Sequence, residues 1–295
     1  MHWFEARRDP ANAVVALDHV GPPGAGAWLV VDQGHGFFYD HPLDHVPGLL
    51  LIEAASQLAR HWADATGRGE LALTRLSVRF LKYCLHGAPV EMTLRPRPVL
   101  GPETVSIALR QANVTRAKFV LTLGAEPPVT ADRRLPPGLA GPGAGDPADS
   151  ARLGKRNPAN VMITTPVPLG GDSFARLLAA APGNLLADPV DAAAWHPLYL
   201  LEAWMQMLRF ARSAPGARHG RMRDILAGIE LDLCGPARRG EDIGLIVGGR
   251  SHDTGRWLSR NGVIGTADRV LARVVMLTAR PSVPDRPARH RAGAT

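Results

Sequence analysis

The chain has 295 residues, of which 45% are apolar and 21% charged, and 34 Lys and Arg against 27 Asp and Glu leave a net charge of +7. That length suits two domains or one double-sized unit, and the apolar share can fill a core, which excludes a disordered chain. No apolar run nears the roughly 18 residues of a bilayer span, and two cysteines (Cys84 and Cys234) make neither a disulfide framework nor a zinc cage.

In chain order, Met1–Arg8 has no apolar signal core, so a cytoplasmic protein away from membranes is expected, with both thiols free. The opening Arg7-Arg8-Asp9-Pro10-Ala11-Asn12-Ala13-Val14-Val15 leads into a Gly- and Pro-rich stretch. The polar cluster Asp40-His41-Pro42-Leu43-Asp44-His45-Val46-Pro47-Gly48 follows. Leu49–Ala63 is apolar on almost every face, as a buried helix is. Strands are expected at Leu71–Leu81, Val90–Pro96, Val105–Gln111 and Lys118–Leu123, punctuated by Gly and Pro. Gly124–Gly154 is rich in Pro, Gly and Ala without apolar periodicity and reads as a linker.

From residue 155 the order repeats. Lys155-Arg156-Asn157-Pro158-Ala159-Asn160 restates the opening at a shift of 148. The ExxxQ of the first helix, Glu53 to Gln57, returns as Glu202 to Gln206 at a shift of 149. A helix is expected at Leu198–Arg212, then strands at Ile225–Leu233, Ile243–Val247, Gly255–Ser259 and Val270–Leu277. The expected boundaries are 1–124 for the first repeat, 125–154 for the linker, 155–279 for the second repeat, and 280–295 for a disordered basic tail. The fold class is α+β: two tandem repeats, each a central helix wrapped by an antiparallel sheet, which is a double hotdog. Such a chain is a monomeric pseudo-dimer or forms a homodimer.

Histidine moves its proton near neutral pH, so His41 or His45, ahead of a Pro-Gly turn, is a general-base candidate. Asp40 and Asp44 either contact substrate or cap turns. The prolines disfavour the helical HxxxH spacing of zinc sites, so neither metal nor cofactor is expected. Glu53 and Glu202 lie inside apolar helices. A desolvated carboxylate with a raised pKa is what a general acid needs, although each could instead brace the preceding loop. Gly48, Gln57, Gln206 and Trp204 are candidate substrate contacts, and Trp204, Met205 and Met207 either line an acyl tunnel or fill the core. The cations are arginine except at Lys82, Lys118 and Lys155. That surplus reflects composition or an acidic partner, such as an acyl carrier protein or a phosphorylated substrate. No basic helix or aromatic-basic strand points to nucleic acid.

The run Phe38 to Ala54, with Asp40-His41-Pro42-Leu43-Asp44-His45-Val46-Pro47-Gly48 and Glu53-Ala54, resembles the signature of the A-factor biosynthesis (AfsA) hotdog family. The resemblance implies a double hotdog that joins a β-ketoacyl thioester to dihydroxyacetone phosphate on the way to a γ-butyrolactone signal. That family's helix has an arginine three residues after the glutamate, where this chain has Ser56 and Met205. The same segments resemble hotdog acyl dehydratases more weakly. In those the site lies between units, which would set His41 opposite Glu202. Residues 188–195 offer no histidine for a reciprocal site, so one competent site per chain is expected. Other readings are a dehydratase, isomerase or thioesterase acting on an acyl thioester, or a non-catalytic acyl-binding double hotdog.

Overall fold

The computed structural model describes residues 10–41, 43–100, 103–125, 145–181, 184–187, 193–212, 225–254 and 256–280. The Gly- and Pro-rich stretch after Asn12 forms a hairpin of β1 (Val15–Gly21) and β2 (Gly24–Leu29), although Gly-Ala-Gly-Ala lacks the branched residues that mark strands. Close approach explains the small residues. A Cβ on Gly24, whose φ is +149°, would meet the Leu94 carbonyl oxygen at 2.4 Å. The central helix α1 (Gly48–Ala65) follows, with Leu50, Ile52, Leu58 and Trp62 fully buried. Then come β3 (Ala72–Phe80), β4 (Glu91–Pro96), β5 (Thr104–Gln111) and β6 (Val114–Gly124). The β5–β6 turn is made by Ala112 and Asn113, both left-handed, which suits the twist of a two-residue hairpin.

The second half repeats the plan with a short helix α2 (Ser150–Leu153), β7 (Val167–Leu169), β8 (Asp172–Arg176), α3 (Pro197–Arg212) and strands β9 (Ile225–Leu233), β10 (Gly244–Asp253), β11 (Trp257–Gly265) and β12 (Val270–Ala279). The twelve strands among the described residues form one antiparallel sheet. Outward from its middle, one side runs β3-β6-β5-β4-β2-β1 and the other β9-β12-β11-β10-β8-β7, the same order twice. The seam pairs β3 with β9, from Arg75 opposite Asp232 to Arg79 opposite Gly228. A Cβ at Gly228 would come within 2.9 Å of the Val78 carbonyl oxygen, so the seam leaves no room there for a side chain. This is the double hotdog expected from the repeat.

The repeated ExxxQ motif has a structural job in both halves. Gln57 donates to the Asn12 carbonyl at 2.7 Å and accepts from Val14 N–H at 3.0 Å. Gln206 donates to the Asn160 carbonyl at 2.8 Å and accepts from Met162 N–H at 3.0 Å. Each amide thus satisfies a backbone carbonyl and N–H of its own half's opening loop, which would otherwise be desolvated unpaired.

Three expected boundaries move. Residues 145–154 belong to the second unit rather than to a linker: Ala148 and Leu153 are core, and the Asp149 carboxylate caps α2 through Ala151 N–H. Residues 126–144 lie outside the described residues. Arg280, just past β12, is tied to the second unit, donating from its N–H to the Arg256 carbonyl at 2.8 Å and pairing with Asp253 at 2.9 Å. Residues 281–295 lie outside the described residues. Strand β11 also runs past Ser259 through Gly262, where a Cβ would strike the Trp204 indole. Cys84 and Cys234 are free thiols.

Candidate active site

The loop ahead of α1 is held from several directions. Val46 N–H donates to the Cys84 carbonyl at 2.8 Å, and His86 Nε2 lies 3.2 Å from the Leu43 carbonyl. His35, buried in a turn, accepts through Nδ1 from the Phe37 and Phe38 N–H groups. These contacts set Phe37, His41, Leu43 and His45 toward the other half of the chain.

That other half contributes α3 and its opening loop. Glu202 is 1% exposed. Lys155 Nζ lies 3.0 Å from its Oε1, and Arg209 grips both carboxylate oxygens, with Nη2 at 3.3 Å. Lys155 also sits 4.8 Å over the Phe37 ring of the first half. Asp40 ties the two halves at this point, its Oδ1 accepting from Arg156 N–H at 3.2 Å and Asn157 N–H at 2.8 Å. A first-half carboxylate therefore positions the second-half loop that carries Lys155.

The result is a cavity of about 220 Å³ lined by His41, His45, Gly48, Lys155, Glu202 and Arg209 with apolar walls from Phe37, Met205 and Leu226. A second cavity of about 720 Å³ adjoins it and shares His45, Gly48 and Leu226. Its walls include Asp44, Phe80, Lys82, Tyr83 and Arg116. Between the two lies the start of α1. Pro47 supplies no side-chain cap, and the helix bonds begin with Leu51 N–H to Pro47. The first N–H groups of a helix are available to an outside acceptor.

The electrostatics of the two expected acid–base groups differ. Burial pushes the Glu202 pKa up, but Arg209 and Lys155 outweigh it and hold the group down at about 2. Glu202 is therefore a carboxylate at neutral pH, and its suggested role as a proton-donating acid does not fit its surroundings. His41 is held below its ordinary value by burial and then by Arg209 and Lys155, against the opposite pull of Glu202 and Asp40. These surroundings favour its neutral form.

The remaining candidates separate clearly. Asp44 is exposed and lies 2.6 Å from His45 Nδ1, and the His45 ring packs 4.3 Å from Tyr83. Asp40, Gln57 and Gln206 brace loops. Trp204 is a core residue, fully buried and donating to the Ile246 carbonyl at 2.9 Å, and it lines neither cavity. Glu53, also 1% exposed, accepts from Gln57 at 2.7 Å and lines neither cavity. Lys155 and Arg209 were not among the sequence candidates. Their signals were available: Lys155 opens the repeated motif, and Arg209 lies two turns after Glu202 on the same helix face. Among the described residues no cluster of three or more His, Cys, Asp or Glu could hold a metal ion, and no helix is long and apolar enough to cross a membrane.

Comparison with known proteins sharpens this picture. Residues 6–124 match the A-factor biosynthesis hotdog domain, AfsA. A 2-oxo-3-(phosphooxy)propyl 3-oxoalkanoate synthase of Streptomyces coelicolor is 36% identical over 85 residues, 28% of this chain and 26% of that protein. A synthase of the same name from Streptomyces virginiae is 35% identical over 89 residues, 30% and 29% of the two chains. The matched segment thus spans about a quarter of these relatives' length. Among solved structures, a trans-AT PKS dehydratase domain from Brevibacillus brevis superposes with a TM-score of 0.63 at 12% identity, covering 94% of this chain and 99% of that one. The dehydratase domain of RzxB from Pseudomonas fluorescens gives 0.60 at 14%, with 92% and 100% covered. At such identities the likeness concerns the fold alone, and it extends over both halves.

Proposed function

Because residues 6–124 match the A-factor biosynthesis (AfsA) hotdog domain, we propose that the protein is an acyltransferase joining a 3-oxoacyl thioester to the hydroxyl of a small phosphorylated acceptor. The synthases it resembles are named for a product of that kind, a phosphooxypropyl ester of a 3-oxoalkanoate. One observation carries the reading: the histidine loop of the first half and the Lys155–Glu202–Arg209 cluster of the second line a single cavity.

Two cations and one carboxylate leave that cluster with one positive charge in excess, buried at Lys155 and partly open at Arg209. Such a site favours a phosphate, which takes charge-assisted hydrogen bonds from both side chains. It answers the missing family arginine. Met205 occupies that place in the cavity wall, and Arg209 brings the charge back one turn further along α3. Glu202 serves by holding the two cations in position.

In the transfer, the acceptor hydroxyl attacks the thioester carbonyl while a loop histidine takes its proton. The oxyanion is received by the uncapped N–H groups at the start of α1. The tetrahedral centre then collapses, the C–S bond breaks, and the thiolate recovers the proton from the imidazolium. An acyl carrier protein, being acidic, is the donor that suits the chain's positive charge. Dehydration would need an acid to protonate a departing hydroxyl, and an ionised Glu202 does not supply one.

The test incubates the protein with 3-oxoacyl and 3-hydroxyacyl thioesters of acyl carrier protein, with and without dihydroxyacetone phosphate, and follows products by mass spectrometry. The phosphorylated ester is expected only from the 3-oxoacyl donor with the acceptor present. An enoyl product from the 3-hydroxyacyl donor, or free acid alone, overturns the reading in favour of a dehydratase or a thioesterase.

A further inference from the structure

Two histidines face the candidate site, and their surroundings differ. His41 lies among Lys155, Arg209 and Glu202, with Asp40 behind it, and its Nδ1 is buried without a hydrogen-bond partner. His45 has an orienting partner, Asp44, 2.6 Å from Nδ1. Its ring packs against Tyr83, and its backbone is fixed by a bridge to Leu85. It is also the titratable side chain shared by the walls of both cavities, next to Gly48 at the start of α1.

We infer that His45, oriented by Asp44, is the catalytic base of the transfer, and that His41 contacts the acceptor without taking its proton. This rests on the acyl-transfer reading and specifies how its site divides the work.

A base that removes a proton in the transition state becomes an imidazolium there. At His41 that new charge would develop at a half-buried ring whose Nδ1 has no hydrogen-bond partner, beside Lys155 and Arg209, with Glu202 engaged by those cations and Asp40 by backbone N–H groups. At His45 it develops in hydrogen-bond contact with Asp44. An imidazole whose Nδ1–H is held by a carboxylate also presents Nε2 as the basic atom in a fixed orientation. Position agrees with charge. A thioester carbonyl at the start of α1 lies at the junction of the cavities, its acyl or carrier arm extending into the larger one. The acceptor's phosphate lies at Lys155 and Arg209. The attacking hydroxyl then falls between the cavities, where His45 stands, while His41, in the wall of the smaller cavity, is placed to hydrogen-bond the acceptor. The hydroxyl proton passes to His45 Nε2 as the C–O bond forms, and it leaves on the thiol as the C–S bond breaks.

The experiment compares His45→Ala, His41→Gln, Asp44→Asn and Asp44→Glu in the ester-forming assay, with far-UV circular dichroism confirming that each variant is folded. His45→Ala is expected to lower kcat by about 10²- to 10⁴-fold, the usual loss of a positioned base. Asp44→Asn, acting through His45, should lower kcat by about 10-fold or more with the acceptor KM unchanged, and Asp44→Glu should recover most of it. Adding Asp44→Asn to His45→Ala should cost nothing further. His41→Gln should raise the acceptor KM by about 10-fold and leave kcat within about threefold. A His45→Ala variant that keeps its kcat while His41→Gln loses it overturns the assignment alone, since wild-type ester formation still upholds the acyltransferase. A wild-type protein that forms no ester overturns both.

Discussion

Glu53 and Glu202 occupy the same place in two copies of one fold, and they have become different things. Both begin an ExxxQ motif, both are buried, and both lie against a glutamine that braces its own opening loop. Around Glu202, Lys155 and Arg209 close in, and a histidine loop arrives from the other half. Arg60, the residue equivalent to Arg209 in α1, turns instead to Asp64, 3.0 Å away and one turn further on. The shared part, the glutamine brace, is what the fold requires. The unshared part is the pair of cations and the facing histidine loop gathered around Glu202.

The widest gap between the two copies should appear on neutralising the carboxylates. Glu202→Gln leaves Lys155 buried without its counter-charge, at a cost of about 3–5 kcal/mol. For a chain of this size that is a fall on the order of 10 °C in Tm, read by calorimetry. Glu53→Gln should leave ester formation within about threefold of wild type, since Glu53 lines neither cavity. Equal losses of activity in the two variants would break the comparison.

The braces should behave alike. Gln206→Leu and Gln57→Leu each strand a carbonyl and an N–H group, and each should cost about 1–3 kcal/mol in urea denaturation. A negligible cost in one half would show that its brace had become redundant. Asp40→Asn sharpens the picture in a different direction. It weakens the tie between His41's loop and the loop of Lys155 by about 1 kcal/mol, and should raise the acceptor KM more than it lowers Tm.

The smallest effect concerns pH. Glu202 is held near 2 in the folded protein against an ordinary 4.5. Its contribution to stability is therefore complete above about pH 4.5 and is lost as the pH falls from there toward 2. Wild type should lose Tm through that window more steeply than Glu202→Gln, and parallel curves would show the carboxylate to be unpaired in solution.

The repeat and the two central helices were legible in the sequence, because each depends on patterns that survive a shift of about 148 residues, and the placing of His41 opposite Glu202 followed from the resemblance to hotdog dehydratases. The β1–β2 hairpin was hidden, since its small residues answer to the close approach of β4, a tertiary demand without periodicity. Glu202 was legible as buried but not as ionised. Burial alone argues for a neutral acid, and only the arrival of Lys155 from 47 positions earlier and of Arg209 reverses it. Trp204 shows the opposite limit: aromatic side chains at helical spacing serve a tunnel or a core equally well, and the hydrogen bond to Ile246 with the gap at Gly262 decides for the core.

The seam between β3 and β9 bears on the molecule's ancestry. An isolated first half would present β3 as a bare edge, a row of unpaired N–H and C=O groups ready to take up another strand. Its natural taker is the same strand of a second copy, because the antiparallel pairing found at the seam relates equivalent strands of the two halves. The chain has the form of a homodimer made permanent by tandem duplication. Once fused, the copies no longer had to evolve together: one could keep the histidine loop and the other gather the cations, and a symmetric pair of clefts could give way to a single specialised one.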